Sequence, residues 1–404
     1  MSEAIKIDLV SPDTKANPYP AFSLVRSSDP IHRLEMEDGQ STWLITRYED
    51  ALAILKDQRF IKNFRRLMTP EQLMEAQGNA YSMMNAHMLS SDPPDHTRLR
   101  ALVNLSFTPR LVEQWRERIQ AITDELIDAI QAQEIREVDL IDTFAFPLPI
   151  AVITEMLGVP SEDRAKFRAW SNSLLDGAGN PENFERMREQ MFEFAAYLHN
   201  QIELKRQQTT DDLIGRLIQA EEGGDKLNEI ELISMIFLLL VAGHETTVNL
   251  IGNSVLALLQ HPLQMQQLKE DPSLIKTAIE EFLRFHSPVA MGTNRWVGED
   301  LEFGGKQMRR GDAVLVSLAA ANHDPEEFAQ PDDLDITRKE NRHLAFGMGI
   351  HYCLGAPLAR LEGQIAINTL LRRLPDLRLA VEPEQLIWRP SMLLFGLSKL
   401  PIMF

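Results

Sequence analysis

Cysteine is almost missing from this chain: among 404 residues only Cys353 carries a thiol. One thiol excludes any intramolecular disulfide and any multi-cysteine zinc or iron–sulfur site. Aromatic residues are scarce at 7%, and the 41 Lys and Arg are outnumbered by 59 Asp and Glu, for a formal charge of −18. A deficit of positive charge on that scale argues against nucleic acid as the main partner. Long apolar runs are also missing. The longest, residues 235–242, is far short of the ~20 residues that span a bilayer. It ends in Gly243-His244-Glu245-Thr246-Thr247, which hydrocarbon would not accept cheaply. No basic stretch followed by an apolar one opens the chain, as a signal peptide would require. These absences lead to the expectation of a cytoplasmic protein with no membrane anchor.

What is present is ordinary globular material, 44% hydrophobic and 25% charged, in a chain long enough to bury a core around a cofactor. No repeat, low-complexity tract or linker marks a boundary, so a single domain over residues 1–404 is expected. The pattern is mainly α with a small β region. Residues 31–36 and 42–46 flank Asp38-Gly39 and read as a β-hairpin, followed by a helix over Tyr48–Lys56. Residues 61–91 lack periodicity and are rich in methionine, which suits an adaptable pocket wall or a surface loop. Residues 109–217 read as helix, with breaks at Pro147-Leu148-Pro149, at Gly158-Val159-Pro160 and over 176–181. A long helix over 227–260, a helix over 275–286, a hairpin with Gly304-Gly305 at its tip, a strand over 314–318, a polar irregular stretch over 330–342 and a last helix over 357–373 complete the chain.

The chemistry concentrates at Phe346-Gly347-Met348-Gly349-Ile350-His351-Tyr352-Cys353-Leu354-Gly355. Glycines six and four residues before the cysteine let the backbone turn tightly and approach a flat ligand. A cysteine just ahead of a helix faces the positive end of its dipole, which favours the thiolate, a strong soft ligand for iron. Read alone, a lone cysteine is more often a buried structural residue. Glu281 and Arg284, three apart, share one helix face and suit an ion pair. Glu245 and Thr246 interrupt an apolar helix, at a cost that partners or function must offset; a mid-helix threonine often bonds only a carbonyl one turn back. His244-Glu245 invites the zinc pattern His-Glu-x-x-His, but residue 248 is valine, so that reading fails.

On these residues the chain resembles the cytochrome P450 family. Phe346, Gly349, Cys353 and Gly355 complete its Phe-x-x-Gly-x-x-x-Cys-x-Gly pattern, and Glu281 and Arg284 stand as its Glu-x-x-Arg. Ala242-Gly243-His244-Glu245-Thr246 matches its Ala-Gly-x-Glu-Thr, and His96 with Arg100 its His-x-x-x-Arg. The landmarks follow family order and spacing over nearly the whole chain, closest to soluble bacterial members that act on polyketides, macrolides or fatty-acyl compounds. One departure is Ala321-Asn322-His323-Asp324-Pro325, where such relatives commonly carry arginine in place of His323; it puts a surface or supporting contact in doubt.

The resemblance implies the P450 fold, with haem b between the long central helix and the helix after the cysteine. Cys353 would hold the iron, and His96, Arg100, Arg295 and His351 the propionates, with Ala242, Gly243, Phe346, Gly347 and Gly355 against the cofactor. A buried network of Glu281, Arg284 and Arg338 would fix the cysteine loop. Glu245 and Thr246 would relay protons to dioxygen. The implied activity is monooxygenation of a largely apolar small molecule, a polyketide or statin-like lactone, with O2 and two electrons. With no flavin domain or cluster cysteines, the electrons would come from a ferredoxin or flavodoxin with its NAD(P)H-dependent reductase. By analogy the substrate pocket collects Leu89, Leu238, Ala242, Val289, Ala290, Met291 and Leu394. The rival readings are a peroxide-driven peroxygenase and a non-enzymatic haem protein that binds or senses a ligand. Two further expectations concern surfaces: a basic patch including Arg98, Arg110 and Arg360 that receives acidic partners, and a mobile lid made of residues 61–91 and 174–188.

Overall fold

A computed structural model describes residues 11, 14, 16–35, 41–75, 85–105, 107–163, 166–167, 169–170, 184–208, 210–222 and 226–404. Its contacts group into two compact units. One combines Met1–Ile61, Trp115–Leu148 and Thr246–Phe404, the other Lys62–Gln114 and Pro149–Glu245.

The first unit is built on a five-stranded sheet in the order Ile31–Glu35, Ser41–Ile45, Ala313–Val316, Arg295–Val297, Phe60–Ile61. The first two strands form the expected antiparallel hairpin; its tip, residues 36–40, lies outside the described residues. Ser41–Ile45 then pairs in parallel with Ala313–Val316, Trp43 opposite Val314, Leu44 opposite Leu315 and Ile45 opposite Val316. Because side chains alternate across a strand, this register sorts the core. Trp43, Ile45, Val314 and Val316 join Tyr48, Ile54, Phe60 and Phe328 on one face. Leu44 and Leu315 join Phe22, Met291 and Phe395 on the other. Three helices of this unit, Arg116–Gln131, Ile275–Phe285 and Ala356–Arg373, pack together. In Ile275–Phe285 the apolar stripe Ile275, Ala278, Ile279 and Phe282 is buried, as its i, i+3, i+4, i+7 spacing dictates; Glu281 and Arg284 are buried as well. A three-stranded sheet of Glu137–Asp139, Pro401–Met403 and Arg378–Leu379 was not legible in strands this short.

The second unit is helical among its described residues. Phe167, Trp170, Phe194 and Tyr197 pack edge to face or tilted at ring distances of 5.1–5.6 Å, arrangements aromatic quadrupoles favour. The Pro147-Leu148-Pro149 stretch, read from sequence as a break, opens the helix Pro147–Leu157. Proline is tolerated in a first turn, where its missing N–H would have no partner. Gly158, at φ +71°, lies just beyond the end of that helix.

The 32-residue helix Glu229–Gln260 passes the length and composition test for a membrane span, with a mean hydropathy of 1.5 over its most apolar window, yet 67% of that window is buried in the protein. It is a core helix, and the unit boundary falls between its Glu245 and Thr246. Of the segments expected to form a lid, residues 76–84 and 174–183 lie outside the described residues.

Candidate functional site

Cys353 sits in a loop whose shape its glycines impose. Gly347 and Gly349 have φ of +67° and +77°, in the left-handed region that side chains disfavour. Gly349 has a second reason to lack a Cβ, which would stand 2.5 Å from the carbonyl oxygen of Leu55. What approaches Gly349 closely is thus a neighbouring backbone. The Cys353 amide donates to the Phe346 carbonyl at 2.9 Å, and that of Gly347 to the Leu344 carbonyl at 2.8 Å. Gly355 caps the helix Ala356–Arg373, so the half-buried thiol lies just ahead of a helix N-terminus, where free peptide N–H groups concentrate positive potential. Among the described residues no cluster of three His, Cys, Asp or Glu could hold a metal ion.

Beneath the loop two carboxylates gather donors. Glu281, fully buried, accepts Nε and Nη2 of Arg284 at 2.8 Å each, Nε of Arg338 and Nδ2 of Asn341 at 3.0 Å each, and the Asp335 amide at 3.0 Å. Arg284 spends its remaining N–H groups on the carbonyls of Asn322, Pro331 and Asp333. A buried ion pair is tolerable only when its leftover donors and acceptors are satisfied in this way. Glu280, one residue earlier, takes Arg360 two-pronged at 2.7 and 2.8 Å and His343 Nε2 at 3.1 Å. Burial raises the Glu280 carboxyl, but the Arg360 and His343 donors outweigh it and hold it down at about 2. Sequence reasoning missed Glu280 and His343, because only the fold brings residues 280, 343 and 360 together.

The surface expectations need correction. Arg360 is locked by Glu280, and Arg98 pairs with Glu231 and donates to the Lys226 carbonyl; neither is a free docking cation, while Arg110 is exposed. His323 is no surface residue either: 2% exposed, it contacts Asp332 Oδ1 and the Phe285 carbonyl at 2.9 Å each and stacks on Tyr19 at 3.8 Å. Burial pushes its pKa down, against the pull of Asp332.

Arg295, 4% exposed, stands on a sheet strand of this unit, and His351 ends a short 3-10 turn before the cysteine. Val289 and Leu394 pair as an antiparallel bridge. Ala290 and Met291 beside them are buried in the cluster with Phe22, Leu44 and Phe395.

The second unit holds the other candidates except Thr246, which falls in the first. His96 is buried on the helix Asp95–Asn104, and Arg100 donates to Asn104 at 3.2 Å. Burial first, then the charge of Arg100, lowers the His96 pKa. Leu89 lies in the turn Met88–Ser90. On the long helix His244 Nδ1 lies 2.9 Å from the Leu240 carbonyl, and Gly243 abuts Ile153, which a Cβ would meet at 3.3 Å. Glu245 is 2% exposed. Leu238, Ala242 and Thr246, spaced i, i+4, i+8 on one helix face, are half-buried, exposed and half-buried, where their neighbours Leu239, Leu240, His244, Glu245 and Thr247 are buried.

Comparison with known proteins agrees with this arrangement. The family model for cytochrome P450 matches residues 179–399. The polyketide biosynthesis cytochrome P450 PksS of Bacillus subtilis is 45% identical over 390 residues, 96% of this chain and 95% of that protein. The cytochrome P450 monooxygenase PikC of Streptomyces venezuelae is 45% identical over 391 residues, 96% and 92%. The solved structure of PksS superposes with a TM-score of 0.92 at 43% identity, covering 98% of this chain and 99% of that one.

Proposed function

The chain belongs to the cytochrome P450 family and is a monooxygenase with that family's fold, and from that premise we propose that it hydroxylates a largely apolar, polyketide-like natural product, using all 404 residues as one functional domain in the cytoplasm. The observation that carries the reading is the lone thiol, held by a glycine-shaped loop ahead of a helix and braced by the buried Glu281–Arg284 pair. The name of PksS supports the polyketide class.

The donor set fits a haem b. The one cysteine would give iron a thiolate; Gly347 and Gly355 leave open space or only ordinary contact where a side chain would stand; by the family pattern Arg100 and Arg295 would bring charge, and His96 and His351 ring N–H donors, to the two carboxylates. Bound haem with thiolate ligation supplies the oxygen chemistry, because electron density pushed from sulfur favours O–O cleavage.

The protein's own residues do the rest. Cys353 holds the iron while Glu281, Arg284 and Arg338 fix its loop. By the family pattern Phe346, Gly347, Gly355, Ala242 and Gly243 would contact the cofactor. Glu245 would take up a proton and Thr246 would hold one at its hydroxyl for the oxygen chemistry. Leu89, Leu238, Ala242, Val289, Ala290, Met291 and Leu394 would offer apolar lining for the substrate. Electrons come from a separate ferredoxin or flavodoxin and its NAD(P)H-dependent reductase.

The test is Cys353→Ser. The dithionite-reduced wild type should give the carbon-monoxide difference band of thiolate ligation, and the variant should lose it while remaining folded. A band retained in the variant would overturn the ligand assignment.

A further inference from the structure

We propose that Glu280 is a positioning residue for the cysteine loop, holding Arg360 over Phe346 and His343 in one tautomer so that residues 343–353 keep a single arrangement. The proposal rests on Cys353 being the iron ligand, and adds the device that sets how the ligand is presented.

The hydrogen bonds fix the protonation pattern. His343 Nδ1 accepts the Ala345 amide at 3.2 Å, so its proton is on Nε2, and that N–H donates to Glu280 Oε2 at 3.1 Å. Arg360 meets the same carboxylate with Nε at 2.7 Å and Nη2 at 2.8 Å. Its Nη1 is left to reach the hydroxyl of Tyr352, at the end of the loop, at 3.3 Å. Held this way, the guanidinium carbon lies 4.5 Å from the Phe346 ring centroid, inside the range of a cation–π contact. Phe346 in turn accepts the Cys353 amide through its carbonyl at 2.9 Å. One carboxylate therefore reaches the thiol-bearing residue through Arg360 and the Phe346 backbone, and steadies the loop's start through His343.

Two features separate this node from general support. Glu281 faces Arg284, Arg338 and Asn341, so the adjacent carboxylates serve different partners. The Arg360 side chain is 29% exposed and that of Glu280 28%, so neutralising Glu280 leaves a cation free to swing to water. Loss of the Phe346 contact then costs order in the loop more than it costs the fold.

The experiment compares Glu280→Gln with Arg373→Gln, which breaks the pairs of Arg373 with Asp124 and Asp128 elsewhere in the same unit. Each haem-loaded variant is assayed for melting temperature, for the share of the reduced carbon-monoxide complex absorbing as thiol-ligated instead of thiolate-ligated, and for amide exchange at Cys353. Glu280→Gln should raise the thiol-ligated share and the exchange rate roughly threefold to tenfold, the population change that losing a two-pronged pair and its cation–π contact allows. Arg373→Gln should leave both at wild-type values. Arg360→Lys, which keeps both charges without the fork, should move both readouts in the same direction by less, and it decides the matter if Glu280→Gln does not fold. Wild-type band share and exchange in Glu280→Gln, or in Arg360→Lys where that variant decides, would overturn the proposal. A wild type with no thiolate band would instead sink the ligand reading beneath it.

Discussion

At the scale of the residue, Thr246 carries the sharpest consequence. It is half-buried at the middle of the long helix, beside a buried Glu245. If its hydroxyl holds the proton path, Thr246→Ala should keep haem, substrate binding and oxygen uptake but divert oxygen to hydrogen peroxide. Positioned proton transfer contributes ~10²–10⁴-fold, so product per reduced nicotinamide consumed should fall far outside measurement noise. Full coupling in the variant would leave the residue as a helix-bonding threonine and sink the proton relay. Arg284 supports a stability prediction of a different kind. It is 0% exposed and satisfies three carbonyls as well as Glu281. Arg284→Ala should cost about 3–5 kcal/mol, because the buried Glu281 keeps Arg338 but loses its two-pronged partner, and three carbonyls lose their donor. Denaturant titration of the loaded protein checks this, and a loss below about 1 kcal/mol would place the pair among weak surface bridges.

At the scale of the element, legibility in the sequence tracks how far a pattern extends along the chain. Tyr48–Lys56 and the hairpin of residues 31–45 are readable because periodicity and turn chemistry are local. The ends of the long helix are legible to within a few residues for the same reason. The short strands Glu137–Asp139 and Pro401–Met403 are not readable, since they exist only by pairing across 260-odd residues of chain. Pro147 misleads because proline in a first turn and proline at a break look alike until the preceding turn is seen. In the site, the Cys353 loop and Glu281–Arg284 stand out as compact motifs. The roles of Glu280, His343 and Arg360 depend on tertiary contact, and an isolated arginine in a sequence reads as a surface cation. The docking expectation is affected accordingly: with Arg98 and Arg360 committed to carboxylates, Arg110→Glu should slow reduction by an acidic ferredoxin more than Arg98→Glu does. Stopped-flow reduction at rising salt tests the ranking, and equal effects would mean that the ion pairs open when a partner docks.

At the scale of the whole molecule, the buried titratable groups set opposed pH limits on stability. Burial, reinforced by His323, His261 and Arg284, pushes His286 in the first unit down to about 3. Burial pushes His87 in the second down to about 4, and its Nδ1 has no hydrogen-bond partner among the described residues. In both, the unfolded chain takes up a proton before the folded one does. Their contribution is present above about 6.5, the ordinary value for histidine, and is lost as pH falls toward 4 and 3. Glu280, held at about 2, adds a second loss as pH falls below the usual carboxylate range. Glu362 works the other way. It is buried at 1% exposure, its Oε2 has no hydrogen-bond partner among the described residues, and burial raises its carboxyl well above the ordinary value. The folded state then keeps a proton that the unfolded state gives up, so stability falls as pH rises above about 4.5, the opposite sign. Melting temperature against pH should therefore be a dome, with its acid limb set by the two histidines and Glu280 and its alkaline limb by Glu362. Glu362→Gln should lift the alkaline limb and leave the acid limb in place. His87→Gln should flatten the fall between about 6.5 and 4 without touching the alkaline side. An alkaline limb unchanged in Glu362→Gln would mean that this carboxyl is ionised in the folded protein, against the cost of burying an unpaired charge.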